Sequence, residues 1–182
     1  MLKSLKSLFV GALMAIGLGS ATVVMADTSI TPLVGYQFQT KNVVNKQTDT
    51  MGSFQKNRAT YGLQVLTDVS DGYGIGAEYL RTDSNYDSYQ LGVIGEKSLL
   101  KTDKDSLYAL GGVGYSKIHG LNKNQEGAYF ALGTGYKKQL TNLIAVKGEV
   151  RANYLSNNNQ WIPTALVGFE FNTSEFGKPY SR

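Results

Sequence analysis

The sequence predicts an all-β fold, an eight-stranded antiparallel up-and-down transmembrane β-barrel, and three observations carry that prediction. The first is composition. The 182 residues hold 21 Gly, 12 Tyr and 7 Phe against 3 Pro, a β-rich balance. Past residue 26 no stretch sustains the 3.6-residue apolar period of a helix. The second is spacing: eight segments of about ten residues, the length a tilted strand needs to cross a bilayer, follow one another. The third is alternation, since one parity of every segment is apolar and carries no charge in its middle.

The chain opens with Lys3 and Lys6, an apolar run Leu8 to Leu18, and small residues ending Val24-Met25-Ala26. That reads as a secretory signal cleaved after Ala26, with Gly19-Ser20-Ala21 a second site. The alternative is an uncleaved anchor, because Leu8 to Ala26 is 19 residues without a charge. The predicted organisation is a signal peptide over 1–26, a barrel over 27–171 and a periplasmic tail over 172–182. Losing two lysines with the signal leaves 16 basic against 14 acidic residues, a net of +2. No basic run exists, so nucleic acid is not an expected partner. The absence of Cys excludes disulfides and thiolate metal sites.

Strands are predicted over 30–40, 58–67, 73–82, 87–97, 107–117, 127–138, 143–154 and 161–171. Asp68 to Gly72, Ser98 to Ser106 and Gln139 to Asn142 read as turns on one side. The other side carries Lys41 to Asn57, Asp83 to Tyr86, Ile118 to Glu126 and Leu155 to Gln160. Outer-membrane barrels keep short turns in the periplasm and longer loops outside. An even strand number then leaves both termini in the periplasm, which suits a Sec-exported chain.

The seventh strand shows the plan most plainly. Ile144, Val146, Gly148, Val150, Ala152 and Tyr154 fall on one face, Lys147, Glu149 and Arg151 on the other. A mid-bilayer Lys or Arg costs roughly 2–4 kcal/mol, so the uncharged parity is expected outside and the charged one inside. The outward parity also sets an aromatic near the outer end of every strand: Phe38, Tyr61, Tyr79, Tyr89, Tyr115, Phe130, Tyr154 and Trp161. Tyr73, Tyr136, Phe169 and Phe171 mark the opposite rim, giving two interfacial girdles. Tyr108 and Leu110 make the fifth strand ambiguous; Ile94, Tyr129 and Leu166 are inward exceptions. Inside, Gly is frequent, as a small filled barrel demands. Glu78, Lys147, Glu149 and Arg151 are expected near mid-height as a plug of ion pairs, and Glu149→Gln is expected to lower stability.

The signal, eight strands, girdles and final strand Ile162-Pro-Thr-Ala-Leu-Val-Gly-Phe-Glu-Phe171 resemble the small outer-membrane β-barrels of the OmpA/OmpX type and the broad outer membrane protein β-barrel domain group. Gly168-Phe169-Glu170-Phe171 is similar to the C-terminal strand such proteins present to the barrel-assembly machinery, although Asn172 to Arg182 follow it here. The resemblance implies a monomer in the outer membrane of a Gram-negative cell, with outer-membrane lipid and lipopolysaccharide around it. It implies a structural or surface-interaction role, adhesion-like, through loops that meet a host or surface ligand. No cofactor, metal or catalytic residue comes with it.

Three alternatives share the pattern. A lipid-modifying enzyme on the same barrel needs a His with a nearby Ser, and the one histidine, His119, has only Ser116 three residues before it. A narrow pore needs the Lys147/Glu149/Arg151 set to part. A soluble lipocalin-like barrel needs the opposite parity inward, which alternation alone leaves open. Gly111-Gly112-Val113-Gly114 lacks the Lys-Ser/Thr of a phosphate loop, and Asp68–Gly72 and Thr102–Ser106 lack the ligands of a calcium loop. The loops 41–57 and 118–126 are the expected contact surface.

Overall fold

A computed structural model describes residues 28–38, 58–83, 88–118, 125–156 and 160–173. Alternating residues give every described segment the strand period, and eight strands result. They are β1 (Thr28–Gln37), β2 (Arg58–Ser70), β3 (Tyr73–Thr82), β4 (Ser88–Lys101), β5 (Asp105–Ile118), β6 (Gln125–Gln139), β7 (Ile144–Leu155) and β8 (Gln160–Asn172). Each pairs antiparallel with the next and β8 closes on β1, which removes the unpaired edges an open sheet would expose. The predicted class is the observed one, with no helix among the described residues.

The sequence places the eight strands correctly but not all their ends. The turn expected over 98–106 shrinks to 102–104, because β4 runs to Lys101 and β5 starts at Asp105. A bulge between Ser98 and Leu100 shifts the register so that Leu100 meets Leu107. Thr102 then holds the tight turn, its hydroxyl accepting from Asp105 N at 3.1 Å and its own N–H donating to Asp105 O at 2.8 Å. At the neighbouring turn Gly72 adopts φ 74°, a left-handed conformation costly for other residues. Its carbonyl accepts from Ser98 N at 2.7 Å, tying the bulge to the next hairpin. The predicted signal peptide, the loop 41–57 and most of the predicted tail fall outside the described residues.

The registers also set the stagger. From Leu107 on β5 the ladder passes Tyr136, Gly148, Val167, Val34, Tyr61, Arg81 and Tyr89, and returns to β5 at Lys117, ten residues further along. A shear of ten over eight strands implies a tilt of about 40° and a backbone radius of about 8 Å. Such a lumen has room for side chains only. Tyr108 and Leu110 face inward and join Leu66 and Ile94 in one apolar cluster; Leu33, Leu80 and Leu166 form another. Tyr129, Ala131, Leu155 and Ile162 form the third, beside the loops.

The bulky rings fit because glycines face them. A Cβ at Gly135 would collide with the Tyr108 ring, and one at Gly114 or Gly92 with Tyr129. The one thin seam is β1–β8. Its pairing stops after Ile30–Phe171 and resumes at Leu33–Gly168, and Pro32 between them has no N–H to give.

Candidate functional site: the charged interior and the aromatic rims

Strand β7 turns Lys147, Glu149, Arg151 and Asn153 inward, and all four are buried. On β6 the residues beside Glu149 and Arg151 are Gly135 and Gly133, so nothing bulky blocks the long side chains from crossing the lumen. They reach acceptors on β2, β3 and β4. Arg151 Nη1 donates to Glu78 Oε2 at 2.7 Å, and Lys147 Nζ donates to both Glu96 Oε1 and Gln64 Oε1. Gln64 Nε2 in turn donates to Glu78 at 3.4 Å, linking the two centres. Lys147 also stands 5.0 Å from the centroid of the Tyr108 ring, within cation–π range.

Glu149 sits between the cations, 3.6 Å from Lys147 and 3.8 Å from Arg151. Neither of its oxygens accepts a hydrogen bond. Three carboxylates (Glu78, Glu96, Glu149) thus face two cations, and Glu149 is the one held by ion pairs without a hydrogen bond. The ladder continues in both directions. Lys137 meets Glu170 at 2.8 Å toward the turns. Toward the loops Asn153 donates to Gln90 at 3.4 Å and Thr164 at 3.3 Å, and the hydroxyls of Thr60 and Thr82 meet at 2.9 Å. Opposite charges thus face one another across the lumen, with the apolar cluster at Tyr129 toward the loops.

The residues singled out in the sequence therefore lie together: Glu78, Lys147, Glu149 and Arg151 share one buried cluster. Glu96 is the partner that sequence reasoning missed. Its signal was present, since it continues the inward parity of Gln90, Gly92 and Ile94.

The outward face carries the rims. Phe38, just past β1, and Tyr61, Tyr79, Phe130 and Trp161 are exposed, with Tyr89, Tyr115 and Tyr154 half-exposed. Phe130, Tyr154 and Trp161 form a file with centroids 6.3 Å and 5.2 Å apart. Tyr61 donates to Asp83 Oδ1 at 3.2 Å and lies 6.0 Å from the Arg81 guanidinium. At the opposite rim Lys97 stands 4.8 Å from the Tyr73 ring, and the Tyr136 hydroxyl donates to Asp105. Between the rims the surface is apolar: Val34, Leu63, Ile75, Val113, Leu132, Val150 and Val167 are all exposed.

His119 lies outside the described residues. Ser116, its nearest serine, is buried and donates to the Gly127 carbonyl at 3.3 Å. No group of three or more metal-ligating residues occurs among the described residues.

The sequence matches no protein-family model and no curated protein. Solved structures do share the fold. The N-terminal β-barrel domain of Pseudomonas aeruginosa OprF is 14% identical at a TM-score of 0.58, over 80% of this chain and 98% of that one. Neisserial surface protein A is 10% identical at 0.64, over 79% and 96%. The attachment invasion locus protein Ail of Yersinia pestis is 14% identical at 0.54, over 81% and 99%. Ail has also been solved with the heparin analogue sucrose octasulfate. At such identities the likeness is one of fold alone: a small, closed eight-stranded antiparallel barrel.

Proposed function

We propose that this chain is a monomeric, sealed outer-membrane barrel of a Gram-negative cell, exported by Sec with residues 1–26 removed, that presents its loops for surface contacts. The observation that carries the reading is the sorting of side chains. Val150 is 58% exposed while its neighbours Glu149 and Arg151 are buried, an arrangement that lipid stabilises and water opposes. A lipocalin-like barrel needs the reverse, and the hydrogen-bonded ladder leaves no open bore for a pore. The surface role rests on the loops. Lys41 to Asn57 holds Lys41, Lys46 and Lys56 against Asp49, a cationic balance suited to anionic partners. The heparin analogue bound by Ail makes sulfated glycans the class to try first.

Two measurements test this. Membrane-fraction protein is washed with urea and run on a gel unboiled and boiled; a urea-resistant, heat-shifted band is expected. A soluble protein without the shift would refute the membrane reading. Cells displaying the barrel with and without residues 42–56 are then tested on heparin-coated wells. Equal retention by both would remove the loop from the function.

A further inference from the structure

Among the described residues eight buried side-chain polar atoms have no hydrogen-bond partner in the protein, and five of them belong to Glu149, Arg151 and Asn153. These are three successive inward residues of β7. Their unpartnered atoms alternate in kind. Both carboxylate oxygens of Glu149 accept, Nε and Nη2 of Arg151 donate, and Oδ1 of Asn153 accepts. The Tyr108 hydroxyl, also buried and unpartnered, stands where a Cβ of Gly135 would be, on the strand position paired with Glu149. Nearer the turns Thr31 Oγ1 and Glu170 Oε2 continue the series to the mouth of the barrel, where Lys137 is partly exposed.

Buried polar groups need partners, and the chemistry here selects one. The occupant has to accept from Arg151 and donate to Glu149 and Asn153. An anion would be repelled by Glu78 and Glu149 and has nothing to donate; a cation would meet Arg151 and Lys147. What fits is a small neutral molecule that both donates and accepts, which is water. Arg151 Nη1 lies 3.8 Å from Glu149 Oε2 and Lys147 Nζ 3.6 Å from Glu149 Oε1. Those gaps are too long for direct hydrogen bonds and within the reach of a bridging water. Alternate residues of a strand are about 7 Å apart, so one or two waters fill each interval.

Toward the loops the series stops. The next inward residue of β7 is Leu155, paired with Tyr129 of β6, and Ile162 of β8 is paired with Asn153. With Ala131 these form the apolar cluster, against which Ile118 packs. The Tyr129 ring reaches Gly114 of β5 and Gly92 of β4, and the mutual hydrogen bond of Thr60 and Thr82 at 2.9 Å occupies the facing wall. A narrow apolar section stops water because nothing in it replaces the hydrogen bonds given up.

We propose that the lumen holds a file of bound waters along β7, open to the turn-side mouth and shut by the apolar cluster at Tyr129, which acts as the gate. The charged residues then hold water, and the apolar ring keeps the barrel closed. The gate sits where loops join the barrel, since Ile118 ends β5 and Leu155 ends β7. Its closure between two aqueous sides rests on the outer-membrane reading; the bound waters do not.

The test uses the full-length mature barrel, first checked for the heat-shifted band. In detergent, with isotope-labelled arginine, the Arg151 Nε–H resonance is assigned through Arg151→Lys. It is expected to show a nuclear Overhauser cross-peak to water with the sign of a bound molecule. In vesicles given an osmotic step, wild type is expected to shrink no faster than protein-free vesicles, and Tyr129→Ala faster. Ile162→Ala opens the same gate from β8 and replaces Tyr129→Ala where that variant does not fold. Adding Asn153→Leu puts an apolar side chain of similar size into the file and is expected to return the rate to that of wild type. Leu110→Ala thins the turn-side apolar cluster, away from the gate, and is expected to change nothing. A heat-shifted barrel without the water cross-peak would overturn the proposal alone. So would a leaking wild type, a gate variant as tight as wild type, a leak that Asn153→Leu leaves unchanged, or an equal leak from Leu110→Ala. Absence of the heat shift would overturn the membrane reading beneath it.

Discussion

Replacing Glu78 by Gln is the most informative single change in the lumen. Glu78 is buried and accepts from Arg151 at 2.7 Å. At an effective dielectric constant of about 20, unit charges at that separation attract by about 6 kcal/mol. Desolvation of the two groups offsets part of this, and breaking a buried pair from one side costs about 3–5 kcal/mol. Gln keeps the shape and can still meet Gln64, and Glu149 remains 3.8 Å from Arg151, so a loss of about 3 kcal/mol is expected. Glu149→Gln behaves differently. Its carboxylate accepts no hydrogen bond, and neutralising it leaves two cations with two carboxylates. Its attraction to Lys147 and Arg151 is set against its own uncompensated desolvation and repulsion from Glu78 and Glu96, and a smaller loss than that of Glu78→Gln is expected. The sequence alone sets Glu78 and Glu149 in one plug without ranking them; the geometry gives Glu78 the direct hydrogen bond to Arg151. The assay is urea unfolding of the barrel in lipid vesicles, followed by the fluorescence of Trp161, the one tryptophan, and by gel mobility without boiling. A Glu149→Gln loss equal to that of Glu78→Gln would refute the reasoning.

Three further outcomes are expected in the same assay. Val150→Arg places a cation on the exposed apolar face and should cost roughly 2–4 kcal/mol in a bilayer; within about 0.5 kcal/mol, the value for ordinary surface sites in water, the face does not meet lipid. Gly135→Ala drives a Cβ into the Tyr108 ring and should cost about 1–3 kcal/mol by overpacking, whereas Gly148→Ala, facing open space, should be near neutral; similar values for both would deny the packing account. Tyr154→Ala removes the middle ring of the Phe130–Tyr154–Trp161 file and should cost about 1 kcal/mol or more, with a red-shifted Trp161 emission; an unchanged spectrum would mean that the file does not order the tryptophan.

By itself the sequence determined the number of strands, their approximate spans and the two faces of each. Those follow from a period of two, which is local: Lys147, Glu149 and Arg151 share a side whatever the rest of the chain does. It also marked the aromatic positions, because residues that tolerate an interface are recognisable one at a time. Charge and the aromatic rims pointed to the inside face, which alternation alone leaves open, but nothing local determined who meets whom. Lys147 finds Gln64 83 residues away and Glu96 51 residues away, and no local pattern carries such distances. The bulge at Ser98 and the hollow opposite Tyr108 depend on register and closure. Closure decides them because an eight-stranded sheet with a shear of ten can satisfy its last strand only at one stagger. That stagger then fixes every neighbour across the lumen and around the rim.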